Sequence, residues 1–399
     1  MNGGELIEAY ERFHRTGPEW GADQLTNHGP MAVEVLVRRG RAEVVPGWVD
    51  GYIRRLDELP GAIGEITDTS WAEALGDGCR IGDWTGYFTR QLAEQPWRQV
   101  LAAWWPRLLP GIAAGATHGV IRTGHVVRTL LAGPEDQAAL DELAHALAFW
   151  AARARPVPAC GTPIGRLDPL AALDAVARIP SQQGNLAARF GQLAEGPTWR
   201  PSVARLRPAA GPDQVPARLT DLVTAATLRY LSHGHGQPVL LVHTATAPNA
   251  VLHALPALPD DQWVPSLNAA WAATAAIFAA YAPSGRAAPR SAPPAAGRGA
   301  VADLLDRAVH HGDEHVIKFA DTAAEVYTRT GDVDALAAAH YASTLIPSPG
   351  ADGAHGNRED SRPAAQIPDT ERVTRPLRPR GGRTRPAAAV PAARRPASR

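Results

Sequence analysis

The sequence predicts a mainly α-helical protein, and three observations predict it. Apolar residues recur three and four apart in segment after segment. Short proline and glycine breaks separate those segments. Only residues 238–246 (PVLLVHTAT) offer a strand candidate, and that unbroken apolar run fits a buried helix equally well. We therefore expect one multi-helix domain over residues 1–346 and a disordered tail over 347–399. No matching period of 30 to 45 residues occurs, which leaves a regular solenoid unsupported.

Taken in order, residues 5–14 (ELIEAYERFH) form a charged amphipathic helix rather than a signal peptide. In residues 26–31 (TNHGPM), Thr26 or Asn27 can cap a helix over 30–40 that Pro30 helps to start, which sets His28 at a fixed helix terminus. Residues 76–82 (GDGCRIG) lack the final spacing of a dinucleotide fingerprint and follow the helix-like WAEAL, so they read as a turn. With no P-loop either, chemistry must come from side chains or a metal. A helix follows over 97–109 (WRQVLAAWWPRLL). In ATHGVIRTGH, His118 and His125 stand seven apart on one helical face with Arg122 between them. Seven residues span roughly 10 Å of axis, so both rings reach one metal only if the helix distorts, which Gly119 and Gly124 make cheaper; otherwise they are two separate buried histidines.

A helix is expected over 136–154, and SHGHG (232–236) reads as an exposed turn, which sets His233 and His235 aside. His243 ends an apolar run, where a buried imidazole needs a polar partner or a metal; Thr244 or Thr246 could be that partner. Another helix is expected over 261–282, then a flexible Pro/Ala-rich loop over 283–299. Asp313 is an N-cap for a helix from Glu314 to about Arg329. It places His315 and Lys318 three apart on one face, the spacing by which helical bundles present paired ligands.

Lys318 is the only lysine among 40 basic residues. Arginine replaces lysine wherever only a charge is needed, but it cannot become a neutral amine or a carbamate. Lys318 is thus either one half of an ordinary surface pair with Glu314 or a residue needed in its neutral or carbamylated form. Cys79 and Cys160 stand alone, which excludes disulfide frameworks and thiolate metal sites and fits a reducing cytoplasm. No run of about 18 apolar residues suggests a membrane span. The net charge of +0 hides an acidic body and a tail with nine arginines and no acid from Arg372 onward. That tail could touch nucleic acid or the acidic body; we expect no nucleic-acid or membrane partner, and its role is open.

Four motifs in order, NHGPMAVEVL (27–36), LLPGIAAGATHGVIRTGHVVR (108–128), LLVHTATAPNAVL (240–252) and DEHVIKFADTAAEVY (313–327), resemble the questin oxidase-like family over most of residues 5–345. The resemblance implies a cytoplasmic oxidoreductase of secondary metabolism. It would be an oxygenase that oxidises or cleaves a quinone-type ring of an aromatic polyketide with O2, in a Baeyer–Villiger-like outcome. It also implies a buried non-haem Fe(II) site in the helical domain, with His28, His118, His125, His243 and Lys318 as ligands. Lys318 would be carbamylated, and His315 would be either catalytic or the fourth histidine ligand in place of His243. NADPH is a candidate reductant. Met31 stands where fungal members tend to carry a second histidine. Tryptophans of AAWWPRLL and SWAEAL could stack on flat rings, and Arg122 could serve catalysis by meeting an oxyanion. The competing classes are a metal-dependent hydrolase or isomerase using the same donors, and a non-catalytic helical interaction protein.

Overall fold

In the computed structural model, residues 3–21, 24–285, 297 and 299–349 are described. Among them the regular structure is 17 α-helices, short 3-10 turns and one hairpin pairing Glu19–Trp20 with Leu25–Thr26. The mainly α architecture expected from the sequence is the one the chain adopts. The described residues all belong to one compact unit. The tail from residue 350 and most of the 283–299 loop lie outside them, as do the expectations of disorder and flexibility made there.

Helices form where apolar periodicity and caps agree. The Asp136 carboxylate accepts the Ala138 N–H at the start of Gln137–Ala152, and the Asp313 carboxylate accepts the N–H groups of His315 and Val316 at the start of Glu314–Thr330. His28 itself occupies the N-cap position of Gly29–Arg38, while the Asn27 side chain accepts the Gly29 N–H at 2.9 Å. The ambiguous run at 238–246 lies inside the helix Pro238–Ala254. Every residue from Leu240 to Val251 is buried, so this helix has no polar face whose period the sequence could display.

Four helices form a closed ring at the centre. Gly29–Arg38 packs on His118–Ala132, which packs on Pro238–Ala254, then on Glu314–Thr330, which returns to Gly29–Arg38. Each carries a histidine near its N-terminal end (His28, His118, His243, His315) and polar or charged residues six to ten positions later. The four histidines meet in one layer and the later residues in a second, so the four helices run in the same sense. Ten residues separate the layers' outer members by roughly 15 Å of axis. The closest crossing depends on Gly124, where an added Cβ would lie 2.6 Å from Ala250. Gly119 likewise faces Trp150 at 2.8 Å. These glycines serve close packing, rather than the helix distortion the sequence suggested.

Candidate metal centre

The strand-free segment entering the His118 helix is held left-handed over three consecutive residues, with φ of +51° at Gly115, +54° at Ala116 and +78° at Thr117. For a β-branched threonine this costs on the order of 1–3 kcal/mol, offset by the surrounding packing. It aims the Gly115 carbonyl at the His118 ring, which donates its Nδ1–H to that oxygen. The tautomer so fixed leaves His118 Nε2 buried with no hydrogen-bond partner.

His28 is held in the same way by other means. Its backbone N–H donates to the Tyr52 hydroxyl at 2.7 Å, and its Nδ1 lies 3.2 Å from Glu314 Oε1. The other Glu314 oxygen accepts from Arg55 at 3.2 Å, and the Arg55 guanidinium lies 4.0 Å over the Tyr52 ring. His28 Nε2 is again left without a partner. Neither His243 ring nitrogen forms a hydrogen bond of good geometry, although the Ala116 backbone lies near enough to favour its protonated form.

Around the layer, ring centroids lie 4.3 Å apart for His28 and His118, 4.4 Å for His118 and His243, 5.7 Å for His243 and His315, and 4.5 Å for His315 and His28. One ring nitrogen from each of His28, His118 and His315 lies within 4.8 Å of the others. Two nitrogens on one ion at roughly 2.1 Å stand at most about 4.2 Å apart, so small inward shifts complete the set. Lys318 points into the same layer, is 2% exposed, and its Nζ has no hydrogen-bond partner.

Burial pushes the pKa of His28, His118 and His243 well below the ordinary imidazole range. The charges of Lys318 and the neighbouring histidines add to this. Burial also brings Lys318 down to about 8, against the pull of Glu314 and Asp313. His28 and His118 also stand at helix N-termini, whose positive ends disfavour imidazolium and favour anionic ligands. His28, His118 and His243 are therefore held as neutral imidazoles, the form that binds metal. Of the two alternatives for Lys318, the surface pair with Glu314 does not form: both residues are buried, and Glu314 pairs with His28 and Arg55.

One side of the layer is open. His118 and His243 line a pocket enclosing about 560 Å³ of empty space, part of it open to solvent. The hairpin contributes Leu25 and Thr26 to its wall, with Leu186, Leu240 and Tyr281 from three helices.

Two expected site residues lie elsewhere. His125 is one layer further along its helix, where its Nδ1 lies 2.8 Å from Glu34 Oε2. Seven residues of undistorted helix keep it from the His118 layer. Arg122 forms a buried two-point ion pair with Glu142, at 2.6 and 2.7 Å, and turns away from the pocket. Trp71, Trp104 and Trp105 belong to the core and not to the pocket wall. Sequence reasoning missed Glu314, Tyr52, Arg55 and the Gly115 carbonyl as supports of the imidazoles. Of these only Glu314, adjacent to His315, carried a signal.

Comparison of the chain with protein-family models and with curated proteins gives no match.

Proposed function

We propose that the chain is a non-haem iron oxygenase that oxidises or cleaves a quinone-type ring of an aromatic polyketide. The observation that carries this reading is the buried layer of His28, His118, His243 and His315 around Lys318, with orphaned nitrogens on His28, His118, His243 and Lys318 and an opening to a pocket. Buried polar atoms without partners are costly, at roughly 1–3 kcal/mol each. One cation shared by them removes that cost.

The donor set fits divalent iron. Imidazoles suit it, and no thiolate is present to draw softer metals. An ammonium at Lys318 would repel a cation and has no partner of its own. As a carbamate, formed from the neutral amine and CO2 with release of a proton, Lys318 would supply an anionic oxygen instead. Bound iron would supply the electron path that lets triplet O2 react with a singlet substrate. The remaining work falls to the chain itself. The Gly115 carbonyl and Glu314 fix the ring orientations of His118 and His28. Burial of the layer excludes water from all sides except the pocket. The apolar wall of Leu25, Leu186 and Leu240 suits a flat hydrophobic substrate approaching beside His118 and His243. A Baeyer–Villiger-like insertion of one oxygen atom requires two further electrons, which NADPH would supply.

The test is oxygen uptake by protein reconstituted anaerobically with Fe(II) and then given air and hydroxyanthraquinones, with and without NADPH. Quinone-dependent uptake supports the reading. Zinc as the resident metal, with hydrolysis and no oxygen uptake, replaces it by the hydrolase class, and a metal-free inert chain by an interaction protein.

A further inference from the structure

Trp150 packs its Cα, Cβ and Cγ against Gly119, the residue after His118. Its indole meets Trp105 edge to face at 5.2 Å between centroids. Trp104, the residue before Trp105 on the same helix, centres a second group, with Phe88 at 4.9 Å, Trp84 at 5.5 Å, Tyr87 at 5.3 Å and Trp71 at 5.3 Å. Trp84, Trp104, Trp105 and Trp150 are at most 1% exposed. The outer end reaches the surface: Trp71 is half-buried, and Tyr87 donates its hydroxyl to the exposed Asp68 at 2.6 Å. Leucine or phenylalanine would supply the same apolar bulk. Two groups of tryptophan and tyrosine, the two most readily oxidised aromatic side chains, lead instead from the residue after His118 towards solvent, joined only through the backbone of the neighbouring residues Trp104 and Trp105.

We propose that these two groups form an electron relay that discharges oxidising equivalents formed at the histidine layer when no substrate consumes them; it rests on the oxygenase reading above. With an oxidised metal held by the histidines, one electron would leave Trp150 for it and lower it by one oxidising equivalent. The Trp150 radical cation keeps its indole proton, which is donated to the Gly111 carbonyl at 3.2 Å, and is refilled in turn from Trp105, Trp104 and Tyr87. Tyr87 loses its electron together with its phenolic proton, which passes to Asp68. A small thiol in solution then returns one electron to the tyrosyl radical, Asp68 returns the proton, and the thiol ends as half a disulfide with release of one proton.

The experiment uses the full chain loaded with Fe(II), treated with hydrogen peroxide without substrate, against metal-free protein treated alike. Modified residues are mapped by peptide mass spectrometry, and radicals are trapped for electron paramagnetic resonance. In the loaded protein, iron-dependent oxidation is expected at Tyr87 and Trp71, with a tryptophan or tyrosyl radical signal, while the four histidines are spared. In Trp150→Phe and Trp105→Phe the outer oxidation falls several-fold, and histidine oxidation and iron loss rise. Equal patterns in wild type and variants overturn the relay, as does oxidation confined to the histidine layer of the wild type, which decides the matter even if both variants fail to fold. A chain that takes up no iron fails at the loading step, and that outcome overturns the metal-centre reading itself.

Discussion

Lys318 shows most directly how a single residue type constrains function. It is the chain's one lysine, buried beside imidazoles, and burial brings its ammonium down to about 8. Lys318→Arg keeps the charge and forbids the neutral amine. We expect at least a tenfold loss of metal affinity in this variant, together with roughly 1–3 kcal/mol of destabilisation from overpacking. A metal-replete, fully stable variant would return Lys318 to a purely structural role. Glu314→Gln tests the support of His28. Its oxygen can still accept from Arg55, but the charge that holds His28 is gone, and metal affinity should fall about 10- to 100-fold with the fold intact; unchanged affinity would show that His28 needs no such partner. At this scale the sequence was informative about residue types and poor on direction. His28, His118, His243, His315 and Lys318 were all legible as candidates. What could not be read was that Glu314 turns inward, because a helix position tells which face a residue shares and not which face is buried.

Between elements, the second polar layer holds the four ring helices together. Glu34 pairs with Arg128 and His125, Asp321 with Arg38, Arg39 and Arg128, and Glu325 with Arg38, Arg128, Asn249 and His253. Burial would raise the Glu34 carboxyl, but Arg128 and His125 outweigh it and hold it at about 2. Burial lowers His125 to about 4, although Glu34 pulls the other way. For His125, the unfolded chain binds more protons than the folded one between its ordinary value near 6.5 and about 4. Stability therefore rises with pH through that window and is lost on acidification, by on the order of 3 kcal/mol for this group. The carboxylates act later, as pH falls from about 4.5 towards 2. Melting of the metal-free protein should thus begin to fall below pH 6.5, before any carboxylate titrates, and His125→Gln should reduce that slope. A flat melting temperature from pH 7 to 5 would contradict the assignment. The sequence placed His125 on the same face as His118 correctly, yet assigned it to the wrong layer, because Glu34 and Arg128 as its partners are visible only once the helices are packed.

The described residues are built around a central ring of four helices running in one sense, so that one imidazole layer forms near their N-terminal ends from segments up to 287 residues apart, as His28 and His315 are. The helical class was readable because most helices show an amphipathic face. The ring was not, because one of its members, Pro238–Ala254, has none. The expectations for the tail and for most of the Pro/Ala-rich loop fall on residues outside those described, and among the described residues no helix is long and apolar enough to cross a membrane. The central proposal is that the group of His28, His118 and His315, joined by His243 and not by His125, holds one metal ion. Anaerobic Fe(II) titration by calorimetry of the wild type and of the five single histidine-to-alanine variants tests it. One site per chain is predicted, weakened roughly tenfold or more in each of the four layer variants and retained in His125→Ala. Absence of binding to the wild type, or an effect of His125→Ala as large as the others, would contradict it.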